Sequence, residues 1–294
     1  MTMKQAAPRR VFGLLAAVGL VAALSLPSTA AEKAALPVTA ADKAAPPAAA
    51  AKATAATTLD QAGVDALIKE IDRRQNSGGD YKTQVYIETK ERGKNSVVYE
   101  AVIYRRDSDD RFMILFTGPK AERGKGYLKI ERNLWMYDPT VGRWDRRTER
   151  ERIGGTDSRR TDFDESTLST DYAAKYVERS KLGRFDVHVV ELTARSGIDV
   201  AWPKVKLWID VASSNILKRQ DYAASGRLMR TTYTPKWKKV MSPSAKESVW
   251  VPGEIRIFDE VEKDNKTTVL MKQTDLNPLP KNIFSKAWLE SKSR

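Results

Sequence analysis

The residues able to do chemistry in this chain are few and poorly assembled. There is one histidine, His188, and no cysteine, so thiol nucleophiles, disulfides and the usual zinc sites are excluded. His188 sits in the run Phe185-Asp186-Val187-His188-Val189-Val190, which reads as a strand, and a single strand histidine has no partner to ligate with. No G-x-S-x-G nucleophile turn is present. The segment from Gly118 to Gly126 has the composition of a phosphate loop but not its spacing: the glycine before Lys125 is one residue out of place, and Gly126 stands where Ser or Thr should follow the lysine. Carboxylates are plentiful. Asp107, Asp109 and Asp110 fall in a turn that lacks the glycine and terminal glutamate of a calcium loop, and Asp259, Glu260 and Glu262 flank a second hairpin. A two-carboxylate hydrolase is the enzymatic alternative, and no spacing favours it. We therefore expect no catalytic residue, no metal and no cofactor.

The apolar inventory is richer. Phe112, Ile114 and Phe116 share one face of a strand, while Met113 and Leu115 are apolar on the other. A strand apolar on both faces must be covered on both. Leu128, Ile130, Trp135, Tyr137, Val205, Leu207 and Ile209 extend the set, giving ten candidate cavity residues with the three phenylalanine-strand positions. Leu168, Tyr172 and Tyr176 recur every four residues, which predicts an amphipathic helix over 164–179 that would lie over the cavity as a lid.

The elements that must position these residues follow from period and punctuation. A helix is predicted over 59–75, stopped by Gly78-Gly79. Strands are predicted at 81–91, 96–106, 111–117, 126–130, 134–137 and 143–147. After the lid they resume at 185–192, 205–211, 216–223, 228–233, 248–251, 255–261 and 267–273, with turns at Pro252-Gly253 and Asp264-Asn265. A short helix over 283–289 carries Phe284 and Trp288. The class is mainly β: one long antiparallel sheet, which curls, covered by a few helices. A half-barrel with helices over its mouth satisfies both demands, and a barrel mouth is a frequent pocket.

A string of short matches carries a family resemblance. They are Phe116 with Pro119, Gly126-Tyr127-Leu128, Leu134-Trp135-x-Tyr137-x-Pro139, Asp162-Phe163, Tyr172 and Lys206-Leu207-Trp208-Ile209-Asp210. Gly226-Arg227-Leu228, Pro252 and Phe284 complete it. In order and spacing, across 59–289, the chain resembles the outer membrane lipoprotein-sorting proteins, relatives of the LolA periplasmic lipoprotein carrier. One position departs: Thr167 precedes Leu168 where the family carries an acid, the nearest acids being Asp164 and Glu165. The resemblance implies the half-barrel fold and a carrier that receives lipidated proteins from an inner-membrane donor and delivers them to an outer-membrane acceptor. It equally admits a sensor of the same fold, binding a lipidic signal and a membrane partner.

The ends and the charge agree with export. Lys4, Arg9 and Arg10 precede an apolar run over 11–26, Pro27 breaks it, and Ser28-Thr29-Ala30 supplies small residues, so residues 1–30 read as a signal peptide cleaved near Ala30. Residues 31–58 are rich in Ala and Pro and read as a disordered linker. Residues 59–294 remain as a single domain located in the periplasm. The formal charge is +13, and +10 once Lys4, Arg9 and Arg10 are removed. Export argues against nucleic acid, so an anionic membrane surface or an acidic partner is the expected electrostatic partner. The basic run Arg143, Arg146, Arg147, Arg150, Arg152, Arg159 and Arg160 is interspersed with Asp145, Glu149, Glu151 and Asp157 and reads as a solvated, salt-bridged face.

Overall fold

A computed structural model describes residues 58–76, 78–130, 133–148, 152–159, 162 and 164–293. The signal peptide and the linker expected at its start lie outside the described residues, apart from residue 58, as do Arg150, Arg160 and Phe163. The first element is α1 (Gln61–Gln75). Asp60 caps it by accepting from the Gly63 N–H at 2.8 Å, and Arg73 and Arg74 complement the dipole at its last turn. Val64, Ile68 and Ile71 form its buried stripe.

Six strands follow: β1 (Asp80–Lys90), β2 (Val97–Arg106), β3 (Arg111–Gly118), β4 (Gly126–Ile130), β5 (Asn133–Asp138) and β6 (Arg143–Arg147). A single-turn helix, α2 (Leu168–Asp171), leads into seven more. These are β7 (Tyr172–Leu182), β8 (Phe185–Ala194), β9 (Lys204–Asp210), β10 (Ile216–Tyr222), β11 (Leu228–Ser242), β12 (Glu247–Asp259) and β13 (Lys266–Asp275). α3 (Lys286–Lys292) follows them. The described strands form one antiparallel sheet in the order β6-β5-β4-β3-β2-β1-β13-β12-β11-β10-β9-β8-β7, which is not closed into a barrel. Its edges, β6 (Arg-Trp-Asp-Arg-Arg) and β7, carry charges that discourage further strand addition.

Three expectations are corrected. The lid helix over 164–179 is not formed. Only Leu168 lies on a helix, whereas Tyr172 and Tyr176 belong to β7, paired with Ala194 and Val190 of β8. A spacing of four is a multiple of two as well as near a helical turn, so the same residues fit a strand. The expected break at Pro252-Gly253 is no turn: β12 runs through it, and the ladder to β11 slips there instead, at Tyr233/Lys236 and Lys236/Trp237. Pro and Gly inside a strand mark a bulge, and a Cβ on Gly253 would meet the Lys238 side chain at 3.0 Å. The helix expected over 283–289 starts later, at Lys286, where Ser285 Oγ accepts from the Trp288 N–H at 3.2 Å.

Both faces of the sheet carry buried clusters. On the inner face, α1 covers Val190, Leu192, Val205, Leu207 and Ile209, and a second cluster gathers Val85, Ala101, Ile103, Phe112, Ile114 and Phe116. On the outer face, Met113, Leu128 and Tyr104 pack under Ile283, Phe284 and Leu289. The fit there is close, since a Cβ on Gly126 would lie 2.8 Å from Leu289 Cδ1.

Candidate functional site

Between the two inner-face clusters lies a cavity of about 630 Å³. Its floor is apolar: Ile87 of β1, Ile103 of β2, Ile114 of β3, Ile255 and Ile257 of β12, and Val269 and Met271 of β13. Each of the paired positions is two apart, the period that puts side chains on one face. Ile71 of α1, Tyr172 and Trp202 form one wall, and Trp237 and Trp250 on the long β11–β12 hairpin form another. Ile114 and Arg219, on β3 and β10, both border it although six strands apart. In a flat sheet that separation is about 29 Å, so the sheet curls around the cavity. The hairpin tip is tied back: Ser242 Oγ donates to the Gly78 carbonyl at 3.0 Å.

One end of the cavity gathers three arginines, Arg159, Arg219 and Arg230. Asp221 is fully buried and accepts from Arg219 Nε at 2.6 Å and from Arg230 Nε at 2.9 Å. Arg230 also donates to Asp162 Oδ2 at 2.8 Å. Burial alone would raise the Asp221 carboxyl, but Arg219 and Arg230 outweigh it and hold the group below its usual range. Burial likewise opposes the Arg230 charge, and Asp162 and Asp221 more than compensate, raising it above its ordinary value. The Arg230 and Arg159 guanidinium carbons stand 5.4 and 5.0 Å from the Trp202 ring. Tyr172 fixes that ring's loop by donating to the Trp202 carbonyl at 3.0 Å. Burial, then repulsion from Arg230, lowers the Arg159 guanidinium below its ordinary value.

The predicted residues divide between the two faces. Phe112, Ile114 and Phe116 share one face of β3, which is the inner one, and Ile114 borders the cavity. Val205, Leu207 and Ile209 also face inward, but beneath α1 in solid packing with no cavity contact. Leu128, Ile130 and Tyr137 lie on the outer face with the C-terminal segment, and Trp135 lies there too, its ring 3.7 Å from Lys286 Nζ. The turns joining β3, β4 and β5 set which parity of each strand points inward, and the strand residues themselves do not encode it. Of the expected lid residues, Leu168 and Tyr172 border the cavity and Tyr176 packs beside α1. Sequence reasoning missed the β12 and β13 floor, although Ile255-x-Ile257 and Val269-x-Met271 carried the period-two signal. It also missed Trp202, which follows Ala201 in a loop without periodicity, and it placed Arg159 on a solvated face. Among the described residues no group of three or more acidic or histidine side chains is placed to hold a metal ion.

An open antiparallel sheet not closed into a barrel, with a few helices, is the LolA-like fold. The sequence model of a family described as an uncharacterized protein matches residues 108–291, and the chain belongs to that DUF1329-like family. Three solved structures share the fold. A domain assigned as an outer membrane lipoprotein-sorting protein from Vibrio parahaemolyticus is 18% identical with a TM-score of 0.68, covering 79% of this chain and 100% of its own. A LolA superfamily protein from Nitrosomonas europaea is 21% identical with a TM-score of 0.62, covering 79% and 100%. A DUF1329 family protein from Desulfovibrio piger is 16% identical with a TM-score of 0.68, covering 78% and 98%. No curated protein matches the sequence.

Proposed function

We propose that this chain is an exported, non-catalytic carrier that holds the acyl chains of lipidated proteins or of another lipid in the inner cavity and takes them across the periplasm. The observation that carries this reading is the apolar floor contributed by β1, β2, β3, β12 and β13, enclosing about 630 Å³. Pockets for small molecules span roughly 300–1,000 Å³. The physics of the load fits. Each methylene withdrawn from water is worth about 0.8 kcal/mol, so an acylated protein needs an apolar host to cross water. Side chains such as Ile255, Ile257 and Met271 offer van der Waals contact without specific bonds. Directional transfer from an inner-membrane donor to an outer-membrane acceptor then requires only a gradient of affinity. The LolA-like fold supports the reading, as does the basic charge, which suits an anionic membrane surface.

The test is native mass spectrometry with lipid extraction on protein purified gently from an expressing envelope. Co-purified acylated protein or phospholipid is the expected result. Met271→Arg, which sets a guanidinium on the floor, should abolish capture while leaving the circular dichroism unchanged. A clean apo mass after incubation with both lipoprotein and phospholipid would overturn the proposal. Undiminished capture by Met271→Arg would move the cargo out of this cavity.

A further inference from the structure

The polar end of the cavity holds more hydrogen-bond donors than the described residues satisfy. Trp202 is only 7% exposed, and among the described residues its buried Nε1–H has no acceptor. A buried donor left unpaired is unfavourable. The Arg159 side chain adds a cation that forms no ion pair among the described residues. Its neighbour Asp162 accepts at Oδ2 from Arg230 at 2.8 Å and from the Arg159 backbone N–H at 2.9 Å. The other acids bordering the cavity are engaged or at its rim. Asp107 pairs with Arg105 and Asp164 with Lys129. Asp171 accepts from the hydroxyls of Thr167 and Thr170, and Glu165 and Asp199 are exposed. The donors are held rigidly: Arg230 is locked by Asp221 and Asp162, and Trp202 lies against both arginines.

We propose that this end is a headgroup subsite, in which Arg159 and the Trp202 indole N–H bind the oxyanion of a phosphate or carboxylate borne by the same molecule whose acyl chain lies on the isoleucine floor. The inference rests on the carrier reading and narrows it from any apolar cargo to an anionic amphiphile. A carrier with an apolar floor alone would take neutral and charged lipids of one chain length equally. Here the arginine offers a charge-assisted donor within a partly desolvated wall, where such bonds are strongest. The Trp202 N–H adds a second donor.

The experiment titrates the intact protein with three probes, followed by tryptophan fluorescence and native mass spectrometry. Myristoyl lysophosphatidylglycerol carries chain and oxyanion, monomyristin the same chain without the oxyanion, and glycerophosphate the oxyanion without the chain. The phospholipid should bind about tenfold tighter than monomyristin, the worth of a charged hydrogen bond. Arg159→Gln should reduce it to the monomyristin level and leave monomyristin binding unchanged. Trp202→Phe, which keeps a ring and deletes the N–H, should lower phospholipid affinity in the same sense. Equal binding of the two lipids, unaltered by Arg159→Gln, overturns the subsite while the carrier stands. Glycerophosphate binding as tightly as the phospholipid overturns the amphiphile and makes the site one for a soluble phosphate ester. Binding of neither lipid overturns this inference, and the carrier falls with it only if lipoprotein is not captured either.

Discussion

Asp221→Asn removes one charge from the buried network at the polar end of the cavity, and its size can be worked from the geometry. Asp221 has no solvent exposure and receives Nε–H donors from two arginines, at 2.6 and 2.9 Å. Breaking one side of a buried ion pair is destabilising by about 3–5 kcal/mol, because the opposite charge is stranded. Arg230 keeps Asp162, and the Asn carbonyl still accepts one bond, so the lower end of that range applies. At about 2–4 °C per kcal/mol for a domain of this size, a loss of about 3 kcal/mol lowers the melting temperature by roughly 6–12 °C. Near-ultraviolet circular dichroism in thermal and urea melts measures it. The pH dependence has a fixed sign. The folded Asp221 carboxyl is held below its usual range, so its contribution is complete above the unfolded value near about 3.9 and fades as pH falls through the folded value. The gap between wild type and variant should therefore stay constant through neutral pH and narrow only in acid. A loss under about 1 kcal/mol, the level of an exposed pair, would refute the reasoning, as would a gap that changes between about pH 5 and pH 8.

Two further perturbations test the packing on either face. Leu207→Ala deletes a fully buried side chain beneath α1 and should be destabilising by about 2–5 kcal/mol in urea titration; an unchanged midpoint would mean α1 does not pack there. Gly126→Val drives a side chain into Leu289 and the Ile114 carbonyl and should destabilise by about 1–3 kcal/mol while exposing the C-terminal segment to limited proteolysis. A variant as resistant as wild type would show that α3 does not pack closely on β4.

Much of the fold was legible because strands advertise themselves locally. Phe112 to Phe116 is apolar at every position, and both of its faces are covered, one by the inner cluster and one by the C-terminal segment. What strands do not advertise is which way their neighbours face. Trp135 and Tyr137 alternate correctly with Leu134 and Met136, but only the hairpin geometry sends the aromatics outward. Tyr172 and Tyr176 satisfied two periods at once, and pairing with β8 decided between them. Pro252 and Gly253 carried a real signal, a break in the ladder, with the wrong meaning attached. Trp202 and Arg159 come together only through tertiary structure: one follows β8 in a loop, the other sits in an isolated bridge with Arg152, and nothing in their spacing joins them.

The strand order has a consequence for when this protein becomes able to bind. Among the described strands every ladder but one joins neighbours along the chain, so the sheet is two locally wound meanders, β1 to β6 and β7 to β13. The exception is the seam where β1 meets β13, paired from Lys82 with Asp275 to Lys90 with Lys266 with a register shift between Thr83 and Val85. Closing it gathers nearly the whole described chain into one loop, the slow, entropically expensive step of such a topology. That seam runs through the cavity floor, with Ile87 on one side and Val269 and Met271 on the other. Neither meander owns the floor, so a nascent or cleaved half offers its apolar strands to any neighbour but has no chamber to shelter a lipid.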